Sequence, residues 1–275
     1  MIRRSGRFAG TRGGEIFWRS WAPDADAARG VVVIAHGVGE HSGRYEHIAE
    51  CLTDAAFAVF ALDHRGHGRS DGPRARLEID DAVADVDRLV TMAAAAHPRV
   101  RRFLLGHSLG GAIAVQYALA HQDRLAGLVL SGPFAAIEAS AALRSIGRLL
   151  SALAPGAPLI GVDPTLVCRD PDVVRAYRAD PLVHHGRLPA RTLARAADAI
   201  ERFPERVGQI EVPTLILYGM SDRVVPPAGS RMLAARIGAS DLTIHGYPGF
   251  YHEVLAEPER DAVLRDVGDW LRERS

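Results

Sequence analysis

The chain has 275 residues, 48% of them hydrophobic, enough to bury one substantial core. Its 33 Lys and Arg balance 33 Asp and Glu with no basic block, which argues against nucleic acid as a partner. No apolar run reaches the roughly eighteen residues of a membrane span, the start MIRRSGRFAGTRGGE lacks the apolar centre of a secretory signal, and Cys51 and Cys168 lack metal-type spacing, so the expectation is a cytoplasmic protein with reduced thiols.

In chain order, EIFWRSWA (15–22) is expected to add an antiparallel strand at one edge of a sheet. VVVIA (31–35) is a buried strand, followed by a helical stretch over 44–56 and a second buried strand, FAVFAL (57–62). Residues 77–97 place Ile79, Val83, Val86, Val90 and Met92/Ala93 at helical spacing, with acids opposite. RFLLG (102–106), a helix over 110–121 and LAGLVLS (125–131) continue the alternation. From 134 to 205 it stops: the stretch is helical, punctuated by proline and without a convincing strand. TLILYG (214–219), DLTIHGY (241–247) and a helix over 258–273 resume it. Continuous apolar strands alternating with helices predict an α/β class protein, a mostly parallel sheet flanked by helices. Residues 1–133 and 206–275 form its core, and 134–205 a helical cap or lid.

GHSLG (106–110) is a G-x-S-x-G motif standing between a strand and a helix, where such a motif carries meaning. A serine raised on a strained turn needs neighbours almost free of side chain, and Gly106 and Gly110 supply them, while Gly111 lets the helix approach closely. A nucleophilic serine needs a base, and the base an orienting carboxylate. Asp222 follows the strand TLILYG and His252 the loop after DLTIHGY, in the order Ser, Asp, His and each after a strand. The oxyanion of such a reaction requires two N–H donors. Leu109, directly after the serine, offers one, and the glycine-rich loop HGVGEH (36–41) offers the other, at Val38.

HGVGEHSGRYEHIA, LDHRGHGRSDG, LLGHSLGGAI, LYGMSDRVVPPAGS and YPGFYHEVLAEPER together resemble the monoacylglycerol lipase family of α/β-hydrolases, from about Gly30 to the C-terminus. RDPDVVRAYRADPLVHHG is similar to the cap of its bacterial members. The resemblance implies the α/β-hydrolase fold with a helical cap inserted after the sixth strand. It implies Ser108 as nucleophile, Asp222 and His252 as its partners, Val38 and Leu109 as oxyanion hole, and Glu40 and Arg44 beside the pocket for the glycerol head group. It implies a small lipid ester as substrate, with no cofactor and no metal. Mammalian members carry a further histidine three places after the catalytic one; here that place is Leu255. The same triad would serve a broader carboxylesterase or a lysophospholipase, and a ligand receptor of slow turnover could also keep it.

His64 and His67 have H-x-x-H spacing, but their glycine-rich setting and the lack of further ligands argue against a metal. In the family this loop is structural, with Asp63 and Arg65 holding the strand end. His184 and His185 are adjacent and diverge in an extended segment. Cys168 reads as a small apolar filler, and the acids of 78–87 as a solvated helix face. LRSIGRLLSALAPGAPLIGV (143–162) has two readings: its leucines roof the site by packing on the body, or some are exposed and make transient contact with a membrane surface.

Overall fold

The computed structural model describes residues 1–24, 28–137 and 140–275; residues 138–139 of the expected cap and the Leu143 side chain lie outside the described residues. Strands β1 (Ile2–Ala9), β2 (Glu15–Ala22), β3 (Gly30–Ala35), β4 (Phe57–Leu62), β5 (Arg101–His107) and β6 (Gly127–Ser131) come first. Between them lie helices α1 (Glu46–Asp54) and α2 (Ile79–Ala96), and between β5 and β6 lies α3 (Leu109–His121). The segment after β6 carries α4 (Ala141–Leu153), β7 (Pro158–Ile160), α5 (Pro171–Ala179), β8 (Leu188–Pro189), α6 (Ala190–Ile200) and α7 (Phe203–Arg206). Then follow β9 (Thr214–Gly219), α8 (Pro227–Arg236), β10 (Leu242–Tyr247) and α9 (Arg260–Glu273). The main sheet has the order β1-β2-β4-β3-β5-β6-β9-β10. From β4 to β10 every neighbouring pair is parallel, while β1 with β2 and β2 with β4 are antiparallel.

The apolar runs are continuous because both faces of the sheet are covered. Val31, Val33, Leu104, Leu128, Leu130 and Ile216 point to the face under α2 and α3. Val32, Ile34, Phe103, Leu105, Val129 and Leu217 point to the other, under α1 and α9. Strands β3, β4, β5, β6 and β9 thus split their apolar side chains between two cores at a period of two, with polar residues such as Arg101, His107, Ser131 and Thr214 confined to strand ends. Helix α3 is buried on nearly all sides, as a helix without a polar face must be.

Two expectations need correction. Strand β2 is antiparallel, but it is not the edge: β1 lies outside it, paired from Ile2↔Ala22 to Ala9↔Glu15. The stretch IRRSGRFA shows no apolar alternation because its strand is mostly exposed; the charges shield a sheet edge instead of filling a core. Arg3 reaches Glu46 at 2.7 Å on α1, and Gly6 leaves room for the Trp18 indole across the hairpin. The expected cap also contains a strand pair, β7 with β8, whose three and two residues are too few to show a period. Helix α6 roots that segment in the body. Ala196 and Ile200 join the core of α2 and α3, and Thr192 Oγ1 accepts from Leu77 N–H (3.0 Å) and donates to Ala75 O (2.8 Å).

Removing residues 1–9 uncovers the N–H and C=O groups of β2. The truncated chain is expected to give less soluble protein and to elute in larger species by size-exclusion chromatography with light scattering. Elution like that of the full chain would show that β1 does not protect this edge.

Candidate active site

Ser108 stands between the last residue of β5 and the first of α3 with φ 55° and ψ −120°. A non-glycine residue in this region is strained by about 1–3 kcal/mol and persists only where its surroundings impose it. Here the Ser108 N–H donates to Ser131 O (3.0 Å), while its carbonyl accepts from Gly111 N–H (2.9 Å) and Phe134 N–H (2.9 Å). The glycines around it are required by contact. A Cβ on Gly106 would run into Gly110 O and Ala114, one on Gly110 into the carbonyls of Ala35 and His36, and one on Gly111 would lie 2.8 Å from Pro133. A Cβ on Gly37, in the loop after β3, would lie 3.0 Å from the Ser108 Cβ, so that loop passes directly against the serine.

Asp222 and His252 follow β9 and β10, on the same carboxyl edge of the parallel strands as Ser108. All three are buried. Asp222 Oδ1 accepts from Val224 N–H (2.8 Å) and Val225 N–H (2.9 Å), which fixes the carboxylate, and Oδ2 lies 2.7 Å from His252 Nδ1. Nδ1 therefore donates, and Nε2 is left as the basic nitrogen. Gly219 and Gly132 admit this loop: a Cβ on the first would strike the carbonyls of Phe250 and Tyr251, and one on the second would lie 3.3 Å from His252 Nδ1. Burial disfavours the imidazolium, yet the Asp222 carboxylate, with Glu253 and Glu40 behind it, outweighs burial and raises the His252 pKa above its ordinary 6.5.

Val38 is half-buried in the loop after β3, and Leu109 opens α3, where an N–H has no partner within the helix. That loop is braced from within. Glu40 Oε1 accepts from Gly37 N–H (2.6 Å) and from the Tyr45 hydroxyl (2.8 Å), and Oε2 accepts from Arg44 (2.7 Å). Burial alone would push the Glu40 carboxyl up; Arg44 above all, with the Tyr45 hydroxyl bond, outweighs it and holds it at about 2. From the other side His36 Nδ1–H donates to Gly37 O (2.7 Å), while its Nε2 accepts from His64 N–H (2.9 Å).

Glu40 and Arg44 also line a cavity of about 360 Å³ together with His47, His107, Tyr177 and Glu253. Arg44 holds Glu253 through both nitrogens (2.7 and 2.8 Å), and the Tyr177 ring of α5 covers its guanidinium at 4.7 Å. Leu255 is 4% exposed and belongs to the core under α1 and α9. A histidine does enter this cavity, but from α1: His47 Nε2–H donates to Leu255 O (2.9 Å). The sequence shows Glu253 only as the residue after His252. Its partner Arg44 is 209 positions away, and no local pattern joins them.

Asp63 Oδ1 accepts from Ser42 N–H (2.7 Å) and Oδ2 from Arg69 N–H (2.8 Å), while Arg65 donates to Gly13 O, so this loop is held by its own side chains. His64 and His67 pack their rings on His36, at 4.4 and 5.4 Å between centroids. His184 and His185 diverge, the second donating to Asp180 O (2.9 Å). Cys168 is buried, its Sγ–H donates to Ala256 O (3.2 Å), and burial pushes the thiol up to about 12. The acids of 78–87 are not simply a solvated face. Asp85 is 2% exposed and accepts from Thr11 N–H (2.9 Å) and Oγ1 (2.8 Å), because the β1–β2 hairpin folds over that side of α2. Ile146, Leu149 and Leu153 of α4 are 54, 59 and 75% exposed, and Ile160 of β7 is 63% exposed, so these side chains do not pack on the body.

Residues 26–259 match the hydrolase family model described as serine aminopeptidase, S33. A monoacylglycerol lipase from Mycolicibacterium smegmatis is 46% identical over 96% of this chain and 95% of its own. The human monoglyceride lipase is 32% identical over 94% of this chain and 88% of its own. The crystal structure of the Paleococcus ferrophilus monoacylglycerol lipase matches all of both chains with a TM-score of 0.84 at 33% identity.

The histidine cluster behind this site makes stability depend on pH. Burial lowers the pKa of His36 against the pull of Glu40 and Asp63; burial first, then repulsion from neighbouring imidazoles, lowers that of His64 and holds His67 at about 3. Between pH 6.5 and those values the unfolded chain takes up protons that the folded chain refuses, so stability present at neutral pH is lost as pH falls, by up to about 1.4 kcal/mol per pH unit for each imidazole. Urea unfolding between pH 6.5 and 5 is expected to show this slope, and His67→Asn to reduce it by one imidazole's share. Equal slopes would show that His67 does not stay neutral in the folded state.

Proposed function

Since the chain belongs to the monoacylglycerol lipase family of α/β-hydrolases, we propose that it hydrolyses monoacylglycerols to fatty acid and glycerol at Ser108. The observation that carries this reading is the strained Ser108 at a strand end, on the sheet edge where Asp222 fixes the tautomer of His252. Ser108 Oγ attacks the ester carbonyl carbon as His252 Nε2 takes the hydroxyl proton. The resulting oxyanion accepts from the amides of Val38 and Leu109, and loss of one such donor costs on the order of a hundredfold or more in turnover. Collapse breaks the ester C–O bond, and His252 returns the proton to the departing glycerol oxygen. Water, deprotonated by the same nitrogen, then attacks the acyl carbon; the bond to Ser108 Oγ breaks, Nε2 returns the proton to Oγ, and the fatty acid leaves. Asp222 keeps its hydrogen bond to Nδ1 and stabilises the imidazolium. Glu40 and Arg44 are the polar wall for the glycerol head group in this reading; their cavity is lined by His107 and Glu253, the chain neighbours of Ser108 and His252, and not by Ser108 or His252 themselves.

Residues 134–205 act as the cap, with α6 as its root. The exposed row Ile146, Leu149 and Leu153 with Ile160 supports delivery of substrate from a lipid surface. No helix among the described residues is long and apolar enough to cross a membrane.

Glycerol release from 1-monooleoylglycerol, beside lysophosphatidylcholine and a short p-nitrophenyl ester, tests the reaction. Wild type should prefer the monoglyceride, Ser108→Ala should abolish turnover, and the acid limb of kcat/KM should lie above pH 6.5, because a raised His252 pKa delays formation of the neutral base. Hydrolysis of the short ester alone would overturn the glyceride assignment, leaving a general esterase. For the cap, co-sedimentation with phosphatidylcholine vesicles is expected for wild type and to be weakened by Leu149→Glu with Leu153→Glu. Equal partition of both proteins would remove the lipid-surface reading.

A further inference from the structure

Glu253 shares the loop of His252, and its carboxylate turns to Arg44. Arg44 Nη1 is divided between Glu253 Oε1 and Glu40 Oε2, both at 2.7 Å, and Nη2 donates to Glu253 Oε2 at 2.8 Å. Glu40 in turn accepts from the Gly37 N–H, next to Val38. A continuous chain of charge-assisted hydrogen bonds therefore runs from the histidine loop through one guanidinium to the turn that presents the Val38 amide. The geometry of a forked guanidinium on a carboxylate is rigid, so each loop fixes the other. The Glu253 N–H also donates to Val167 O (2.8 Å), in the segment inserted after β6. The ion count matters as well: Glu40 and Glu253 against one Arg44 leave one uncompensated negative charge beside His252. The other titratable or charged groups facing that imidazole are Asp222 on the loop after β9 and His107 at the end of β5, the latter's ring 4.8 Å away and kept neutral by burial and by His252 itself.

Resting on the reading of Ser108 and His252 above, we propose that Glu253 is a positioning residue for the reaction: its grip on Arg44 locks the histidine loop to the oxyanion loop and places a second negative charge by the imidazole. A purely structural ion pair would also lower activity when broken, but it would leave the titration of the base where it was. The two roles separate on charge and length. Glu253→Gln removes the charge, whereas Glu253→Asp keeps the charge and shortens the reach.

The test is the pH profile of Ser108 phosphonylation by a fluorophosphonate, measured beside glycerol release from 1-monooleoylglycerol. Phosphonylation depends on the nucleophile and its base, not on the glyceride assignment. For Glu253→Gln, kcat and the labelling rate are expected to fall by on the order of tenfold or more, with little change in KM. Its acid limb is expected to move to lower pH by about one unit, since the imidazolium has lost a neighbouring anion. For Glu253→Asp, the rate should fall but the limb should stay with wild type. Should Glu253→Gln fail to fold, Arg44→Lys, which keeps the charge and loses the fork, is expected to lower the rate with the limb unmoved. An unshifted limb in Glu253→Gln, a shifted limb in Glu253→Asp or Arg44→Lys, or wild-type rates in any of these variants would overturn the proposal. Failure of wild type to label at Ser108 would overturn the reading of the site beneath it. Labelling without glycerol release would overturn only the substrate, and the Glu253 comparison would then be decided on labelling alone.

Discussion

Much of this molecule is arranged around one backbone turn, the positive φ at Ser108. The turn demands that a strand end, a helix begin and a second strand's loop pass by, all within a few ångströms. Gly106, Gly110, Gly111 and Gly37 are the points at which those pieces meet, and at each a Cβ would press on neighbouring backbone or side chain. Close approach of that kind is possible only on a scaffold that does not yield. The two covered faces of the sheet supply it, with Phe103 and Leu105 packed on one side of β5 and Leu104 on the other.

How readily each part could be read from sequence follows from how local its cause is. The strands β3, β4, β5, β6 and β9 announce themselves because burial on both faces demands apolar residues in succession. The elbow announces itself because its glycines are neighbours in sequence. Strand β1 does not, since its reason for being a strand is the pairing with β2 and not its own composition. Asp85 reads as solvated for a related reason: only the fold reveals that Thr11 lies over it. Glu253 is the sharpest case. It adjoins a legible histidine, yet its partner comes from the far end of the sequence, and a single pair at such separation leaves no period and no motif.

The electrostatics of the site show a division of labour among buried carboxylates. Asp222 is anchored by two backbone N–H groups and faces His252 directly, so its position is set by the β9 loop alone. Glu40 is held ionised by Arg44 and spends its oxygens on a backbone amide and a phenol, which converts a charge into loop rigidity. Burying such groups is costly unless each oxygen and each N–H finds a partner, and here one guanidinium serves two acids.

That sharing has a consequence for how the protein can vary. Arg44 is shared: replacing either acid changes what the other receives, and replacing the arginine leaves two buried carboxylates without their common cation. Positions 40, 44 and 253 are therefore coupled: the effect of a substitution at one depends on the other two, and single effects do not add.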